Sequence, residues 1–226
     1  MKRAVAALLP LMAMAVTPGA GAGAIPRAVI VLETAPGTPG SDPSGAPPRF
    51  VLLEDGQVFV GGTSLVEAGR LEKGEAQALQ KRAAALRKIP GIGSQISLGG
   101  AADRSMRLVL LEDDPLEIVT TGEPAAAPAA LAPLATLLDE LARFHHPSLR
   151  PYAPSSYSMT VREARLAGGC RAWSFSVPLA EALRGPRTVP AADAVGWPTG
   201  AMPASVCTDD RRYAVTLRPL LPHERP

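Results

Sequence analysis

The sequence predicts an α+β fold: an antiparallel sheet built from two β-hairpin–helix units with the helices on one face, plus a disulfide-tied C-terminal β segment. Three observations predict it. Arg-x-Val-Leu-Leu-Glu-Asp occurs at Arg49–Asp55 and again at Arg107–Asp113, 58 residues later. A helical apolar stripe follows each copy at the same offset. Two cysteines, Cys170 and Cys207, lie near strand-like runs in the last third of the chain.

In chain order, residues 1–24 read as a secretory signal peptide. Lys2 and Arg3 precede an apolar run from Ala4 to Val16, and Ala20-Gly21-Ala22 and Ala22-Gly23-Ala24 are small-x-small cleavage sites. The competing reading is a membrane anchor. That needs about 20 apolar residues, and this run is shorter and ends in Thr17-Pro18-Gly19. Cleavage after Ala24 would leave 202 of the 226 residues, enough for one domain with a full core. The 23 Lys and Arg residues would fall to 21, against 21 Asp and Glu. A neutral chain has no electrostatic footprint for nucleic acid, which excludes that class of partner.

Residues 25–48 form an N-terminal strand and a Pro/Gly-rich loop. Ala28–Leu32 is the β-branched run, and residues 33–48 read as a linker separating it from the rest. Residues 49–226 form a single α+β domain, with hairpin-helix units at 49–91 and 107–147 and a C-terminal β and loop region at 155–221. In the first unit, Asp55-Gly56 suits a two-residue turn. That register pairs Leu53 with Val58, Leu52 with Phe59 and Val51 with Val60. Both faces of the hairpin are then apolar, so it is central in its sheet or has one face covered by another element.

The helix after it spans Glu72–Ile89, with Ala76, Leu79, Ala83 and Leu86 on one stripe. Acidic residues at its start and basic ones at its end suit the helix dipole. In the second unit the turn is Asp113-Asp114-Pro115. Proline cannot donate a ladder hydrogen bond, so this hairpin turns differently or lies at an edge. The second helix spans Ala130–His145, with Leu134, Leu137, Leu138, Leu141 and Phe144 as its stripe. Shifted by 58, Leu79 falls on Leu137, Ala83 on Leu141 and Leu86 on Phe144. The repeat is read as a structural duplication with the units side by side. The competing reading is that the heptad is an economical spelling of a strand and its turn.

Beyond His146 the expected strands are Tyr157–Arg162, Arg171–Val177 and Tyr213–Arg218, with a short helix at Leu179–Leu183 in the Pro/Gly-rich stretch 178–206. In an exported protein Cys170 and Cys207 read as one disulfide, because that compartment is oxidising. The alternative is a reactive thiol.

No motif identifies a chemistry. There is no Walker loop, HExxH, GxSxG or CxxC. Gly91-Ile92-Gly93 follows a helix, whereas a phosphate loop opens one. His145 and His146 are adjacent at a helix end, so they point about 100° apart and chelate one metal poorly. A Cys-His nucleophile built on Gly168-Gly169-Cys170 would need a free thiol. The acidic groups Glu54-Asp55, Glu112-Asp113-Asp114 and Asp209-Asp210 fall at turns. Two of them could converge on Ca²⁺, but without a calcium-loop spacing. A carboxylate pair for glycoside hydrolysis has no supporting spacing. His223 falls in a polar tail, Pro222–Pro226, expected to be disordered. Trp173 reads as core. Trp197, in a loop, either packs over the disulfide or stands out as a binding anchor. Trp197 and Phe59 are the candidate partner-binding residues.

The chain contains no Asn, which excludes N-glycosylation sites. High Ala, Arg, Gly and Pro suggest a GC-rich bacterial source, hence a periplasmic or secreted protein. The expected function is a non-catalytic binding or structural module with no metal and no cofactor. Its partner would be another extracytoplasmic protein, and no membrane segment would remain after cleavage. The alternatives are an inhibitor or recognition module acting on an extracytoplasmic enzyme, and a hydrolase with an unrecognised active site. The oligomeric state is not legible.

Overall fold

A computed structural model describes residues 25–36, 46–62, 65–101, 104–164, 169–200, 203–208 and 211–224. The signal segment 1–24, most of the expected linker, Gly168, Asp209-Asp210 and Arg225-Pro226 lie outside the described residues.

The described residues are mixed α+β, with twelve strands in two sheets and three α-helices. The first part of the chain runs β1 (Ala28–Pro36), β2 (Phe50–Leu53), β3 (Gln57–Val60), β4 (Glu67–Arg70), α1 (Lys73–Ala85), β5 (Gln95–Gly99), β6 (Arg104–Leu110), β7 (Leu116–Gly122), α2 (Ala132–Ala142) and β8 (Arg150–Pro151). These strands form the larger sheet, in the order β5-β7-β6-β1-β2-β3-β4-β8. The rest of the chain runs β9 (Ser156–Glu163), α3 (Leu179–Ala182), β10 (Arg187–Pro190), β11 (Ala204–Thr208) and β12 (Arg211–Pro219). Its four strands make an antiparallel sheet in the order β10-β9-β12-β11.

β1 is not set apart from the rest. It is the central strand of the large sheet, antiparallel to β2 on one side and to β6 on the other. Ile30 faces both Leu52 and Leu110, Val31 faces both Val51 and Val109, and Leu32 faces both Phe50 and Leu108. The repeated heptad is therefore the pattern of a strand that lies against β1. Each copy must supply the same alternation to match the two faces of one shared neighbour.

From β1 the strand order runs outward as β2-β3 in one direction and β6-β7 in the other. Cross-strand neighbours share a face. The two hairpins thus agree in strand direction and in facing residues but extend to opposite sides. They lie in one sheet, with β1 between them.

The first hairpin corrects the expected register. Phe50 faces Val60, Val51 faces Phe59 and Leu52 faces Val58. Gly56 N–H donates to the Leu53 carbonyl at 3.0 Å, and Gly56 itself has φ +83°. This is a β-turn closed by a left-handed glycine, which inserts one more residue than a two-residue turn. A one-residue slip moves every side chain of β3 to the other face. Val58 and Val60 join Phe50 and Leu52, while Phe59 joins Val51 and Leu53. The second hairpin closes in the equivalent register, Leu110 opposite Leu116. Pro115 sits in the connection, clear of the ladder, and β7 is covered on its outer side by β5.

Both faces of β2 are buried. The larger core cluster joins Ile30, Leu32, Phe50, Leu52, Val58 and Leu108 to Ala76, Leu79, Ala83 and Leu86 and to Leu134, Leu137, Leu138 and Leu141. On the other face, Val31, Val51, Leu53 and Phe59 cluster with Leu221. The C-terminal tail is therefore docked. Leu221 is 2% exposed, and Arg218 pairs with Glu224 at 2.5 Å. The polar composition of Pro222–Pro226 hides the two anchors just before it, Leu220 and Leu221.

The small sheet has its own core of Met159, Val161, Val189, Val206, Tyr213, Val215 and Leu217, covered by Phe175, Ala182 and Ala194. Cys170 and Cys207 form the expected disulfide. Arg171–Val177 is not a strand of the sheet, and it bends at Ser176 and Val177. Its only β contact among the described residues is an isolated bridge from Arg171 to Val206. The alternation is present, with Trp173, Phe175 and Val177 inward and their neighbours exposed, but the backbone finds no ladder partner.

Candidate functional site

The residues with most chemical character outside the core surround Trp197. The chain reaches it through a 3₁₀ turn, Ala191–Ala194, and Gly196, whose φ of +78° swings the indole back over the small sheet. The ring centroid lies 4.5 Å from that of Phe175, which is itself edge-on to Trp173 at 5.0 Å. The indole N–H donates to Ser174 Oγ at 3.2 Å. The guanidinium of Arg171 lies over the indole, 5.5 Å from its centroid, and Nη1 donates to the Gly196 carbonyl at 2.6 Å.

Arg171 is placed by the disulfide edge. Its N–H donates to the Ser205 carbonyl at 2.9 Å, and its own carbonyl accepts from Cys207 N–H at 3.3 Å. The opposite side is tied by Asp193, whose carboxylate accepts from the hydroxyl of Ser176 at 2.6 Å and from its N–H at 2.9 Å. Those bonds hold the Asp193 carboxyl below the usual carboxylate range. Beside Trp197, Val195 is 79% exposed. The result is a braced, half-buried aromatic platform with one cation above it and one apolar side chain standing out. Aromatic and Arg side chains held this way are the types that dominate protein–protein contacts.

A second concavity of about 360 Å³ lies where the sheets meet, lined by Arg49, Leu65, Tyr152, Pro154, Tyr157 and Pro219 among others. Tyr152 is one of its lining residues. Its hydroxyl donates to the Leu220 carbonyl at 3.0 Å, and its ring stands edge-on to Phe59 at 5.2 Å. Burial raises the Tyr152 phenol above its ordinary pKa. Phe59, expected at a partner surface, is 3% exposed beneath this ring.

The two acidic tips do converge. Glu54, Glu112, Asp113 and Asp114 line a shallow groove with Arg27 and Arg87 between them. Arg27 N–H donates to Glu54 at 3.3 Å, and Arg87 pairs with Asp114 at 3.3 Å and with Glu112 at 3.8 Å. Arg87 is thus the cationic partner of Glu112 and Asp114, while Glu54 accepts from the backbone amide of Arg27, and no group of three or more His, Cys, Asp or Glu able to hold a metal occurs among the described residues.

His145 is exposed, whereas His146 is half-buried in a polar chain. Its Nδ1 lies 2.7 Å from Ser148 Oγ and accepts from Ser148 N–H at 3.2 Å, and its Nε2 is 3.5 Å from Glu75. The same Ser148 Oγ accepts from Arg70 N–H at 3.1 Å. A Cβ on Gly69 would approach that oxygen to 2.5 Å, so the hydroxyl is wedged against the backbone of β4. The chain Arg70–Ser148–His146–Glu75 fastens β4, the loop after α2 and α1 together. Both cysteines are in the disulfide, which leaves no thiol for a Cys-His pair.

Sequence reasoning finds Trp197 but misses Arg171, because nothing in Cys170-Arg171 announces a guanidinium resting on an indole 26 residues away. It misses Tyr152 too, since a proline-spaced loop gives an aromatic ring no periodic neighbours. Comparison with protein-family models, with curated proteins and with solved structures gave no match.

Proposed function

We propose that this chain is an exported, non-catalytic recognition module, and that Trp197, Arg171 and Val195 form its contact with another extracytoplasmic protein. The observation that carries the reading is the braced platform. Its aromatic rings lose little side-chain entropy on binding, because they are already held from below and from the side.

Export is supported by the N-terminal signal grammar and by the disulfide, which persists in oxidising compartments. No helix among the described residues is long and apolar enough to cross a membrane. We read the large sheet as two hairpin–helix units sharing β1, with both helices on one face. The appearance of α1 and α2 side chains in one core cluster with Ile30 and Leu32 supports this. A hydrolase is disfavoured. The serine beside His146 is wedged, and neither the Tyr152 concavity nor the acidic groove includes that histidine.

The test is capture from the extracytoplasmic fraction of the source cell with wild type, Trp197→Ala and Arg171→Ala. Loss of the same captured protein in both variants supports the reading. Equal recovery by all three removes this surface as the contact.

A further inference from the structure

Each sheet ends in two edge strands, and three of the four edges are blocked. β8 is two residues long and ends in Pro151. β10 ends in Pro190 and carries Arg187. β11 is bridged by Arg171 and stapled through Cys207. Short length, proline, charge and covering segments are the ways proteins protect strand edges. β5 carries neither proline nor charge, and among the described residues its irregularity falls only after Ser97, where the register shifts toward Gly99 and the 3₁₀ turn Pro124–Ala126 packs against that end. The strand is five residues, Gln95-Ile96-Ser97-Leu98-Gly99, and the chain carries no charge between Lys88 and Asp103.

We propose that β5 is a self-association edge, through which two copies of this chain join their large sheets about a two-fold axis normal to the sheet. Val119 N–H donates to the Ser94 carbonyl at 2.7 Å, so even-numbered positions at the start of β5 turn their backbone groups toward β7. Alternation then directs the N–H and C=O groups of Gln95 and Ser97 outward. An antiparallel pair centred on Ile96 sets Gln95 of one copy against Ser97 of the other, twice, and satisfies all four residues.

The second copy is the occupant because this arrangement is self-complementary at every position. No like charges meet across the axis, as they would if the segment carried even one charge near its centre. The axis also preserves the layers. Leu98 is fully buried and Ile96 half-buried at the rim of the large core, so Ile96 would meet its own counterpart and extend that core across the boundary. Gln95 and Ser97, both exposed, would pair on the opposite face.

Sedimentation velocity over a range of concentrations tests this. Wild type should sediment as a dimer at high concentration. Ser97→Pro removes one outward N–H without touching the β7 ladder and should sediment at half the mass with unchanged circular dichroism. Gln95→Lys/Ser97→Lys and Gln95→Glu/Ser97→Glu should each be monomeric alone and should form a dimer when mixed. That readout stays decisive if the proline variant fails to fold. A wild type that stays monomeric at every concentration, or charged variants that dimerise as well as wild type, would overturn the proposal.

Discussion

Arg49 Nε donates to the carbonyl of Ala142 at 2.5 Å, and its Nη1 donates to the carbonyl of Gly61 at 2.9 Å. Ala142 is the last residue of α2, where carbonyls have no partner within the helix and the dipole favours a cation. One guanidinium therefore ties the start of β2 to the end of α2 and the end of β3. Its counterpart 58 residues on, Arg107, does something else. It lies at the surface, 2.9 Å from Glu33 and 2.9 Å from Glu117, which raise it above the ordinary arginine range. Arg49→Ala leaves part-buried carbonyls without a donor and should cost about 1–3 kcal/mol. Arg107→Ala removes exposed ion pairs and should cost less than about 1 kcal/mol. Urea melts of the two variants side by side would show the difference, and equal losses would contradict the capping role.

Two glycines should respond to alanine with opposite signs. Gly56 has φ +83°, and a Cβ there would come within 3.3 Å of the Leu71 carbonyl. Gly56→Ala should cost about 1–2 kcal/mol, from the left-handed backbone alone. Gly74 lies in the first turn of α1, and a Cβ there would meet nothing within 4 Å. Gly74→Ala should stabilise by about 0.4–1 kcal/mol, through the unfolded chain. Thermal melts shifting down for the first and up for the second would support the turn that sets the register of β2 and β3.

The limits of the sequence are visible in these same residues. Helices were legible because Ala76, Leu79 and Ala83, or Leu134, Leu137, Leu138 and Leu141, repeat at the spacing of a buried face. The disulfide was legible from cysteine count and export grammar. The register of the first hairpin was not, because Asp55-Gly56 fits a two-residue and a three-residue loop alike. Nor was the placement of β1, since a Pro/Gly-rich connection says nothing about which strand its ends will join. The repeated heptad was visible, but its cause was not. Two strands flanking one neighbour in the same register need the same alternation, whether or not the units superpose. Of the platform, only the aromatic half could be read, because a tryptophan in a Gly/Pro loop stands out by its type and nothing marks Arg171 among the other arginines.

The docked tail makes stability depend on pH through His223. Its Nδ1 is buried without a hydrogen-bond partner among the described residues. Burial lowers its pKa from the ordinary 6.5, Glu224 opposes that shift and Arg218 adds to it. Because the native value is lowered, the unfolded chain binds the proton first as pH falls. Stability should be full above about 6.5, fall as pH drops below it, and level off once the native imidazole is also protonated. His223→Gln should flatten that part of the profile. Urea melts of both forms on either side of pH 6.5 measure it as a difference, which cancels the other titrating groups. Parallel slopes would mean that His223 is not the group responsible.

The disulfide should act on the small sheet and on the platform together. Cys170 and Cys207 are 37 residues apart, and closing a loop of that length stabilises by about 4 kcal/mol on the chain-entropy model. The enclosed segment holds α3, β10 and Trp197, and the residue after Cys170 is the arginine over the indole. Replacing both cysteines by serine should therefore speed hydrogen exchange in β11 and β12 while leaving β1, β2 and β6 protected, because those strands belong to a separate core. It should also free Arg171 from β11 and shift Trp197 emission to the red, read in a Trp173→Phe background. The two signals separate two roles for the bond. Faster exchange with unchanged emission would make it a staple for the strand edge alone, and the platform would then owe its order to Phe175 and Asp193.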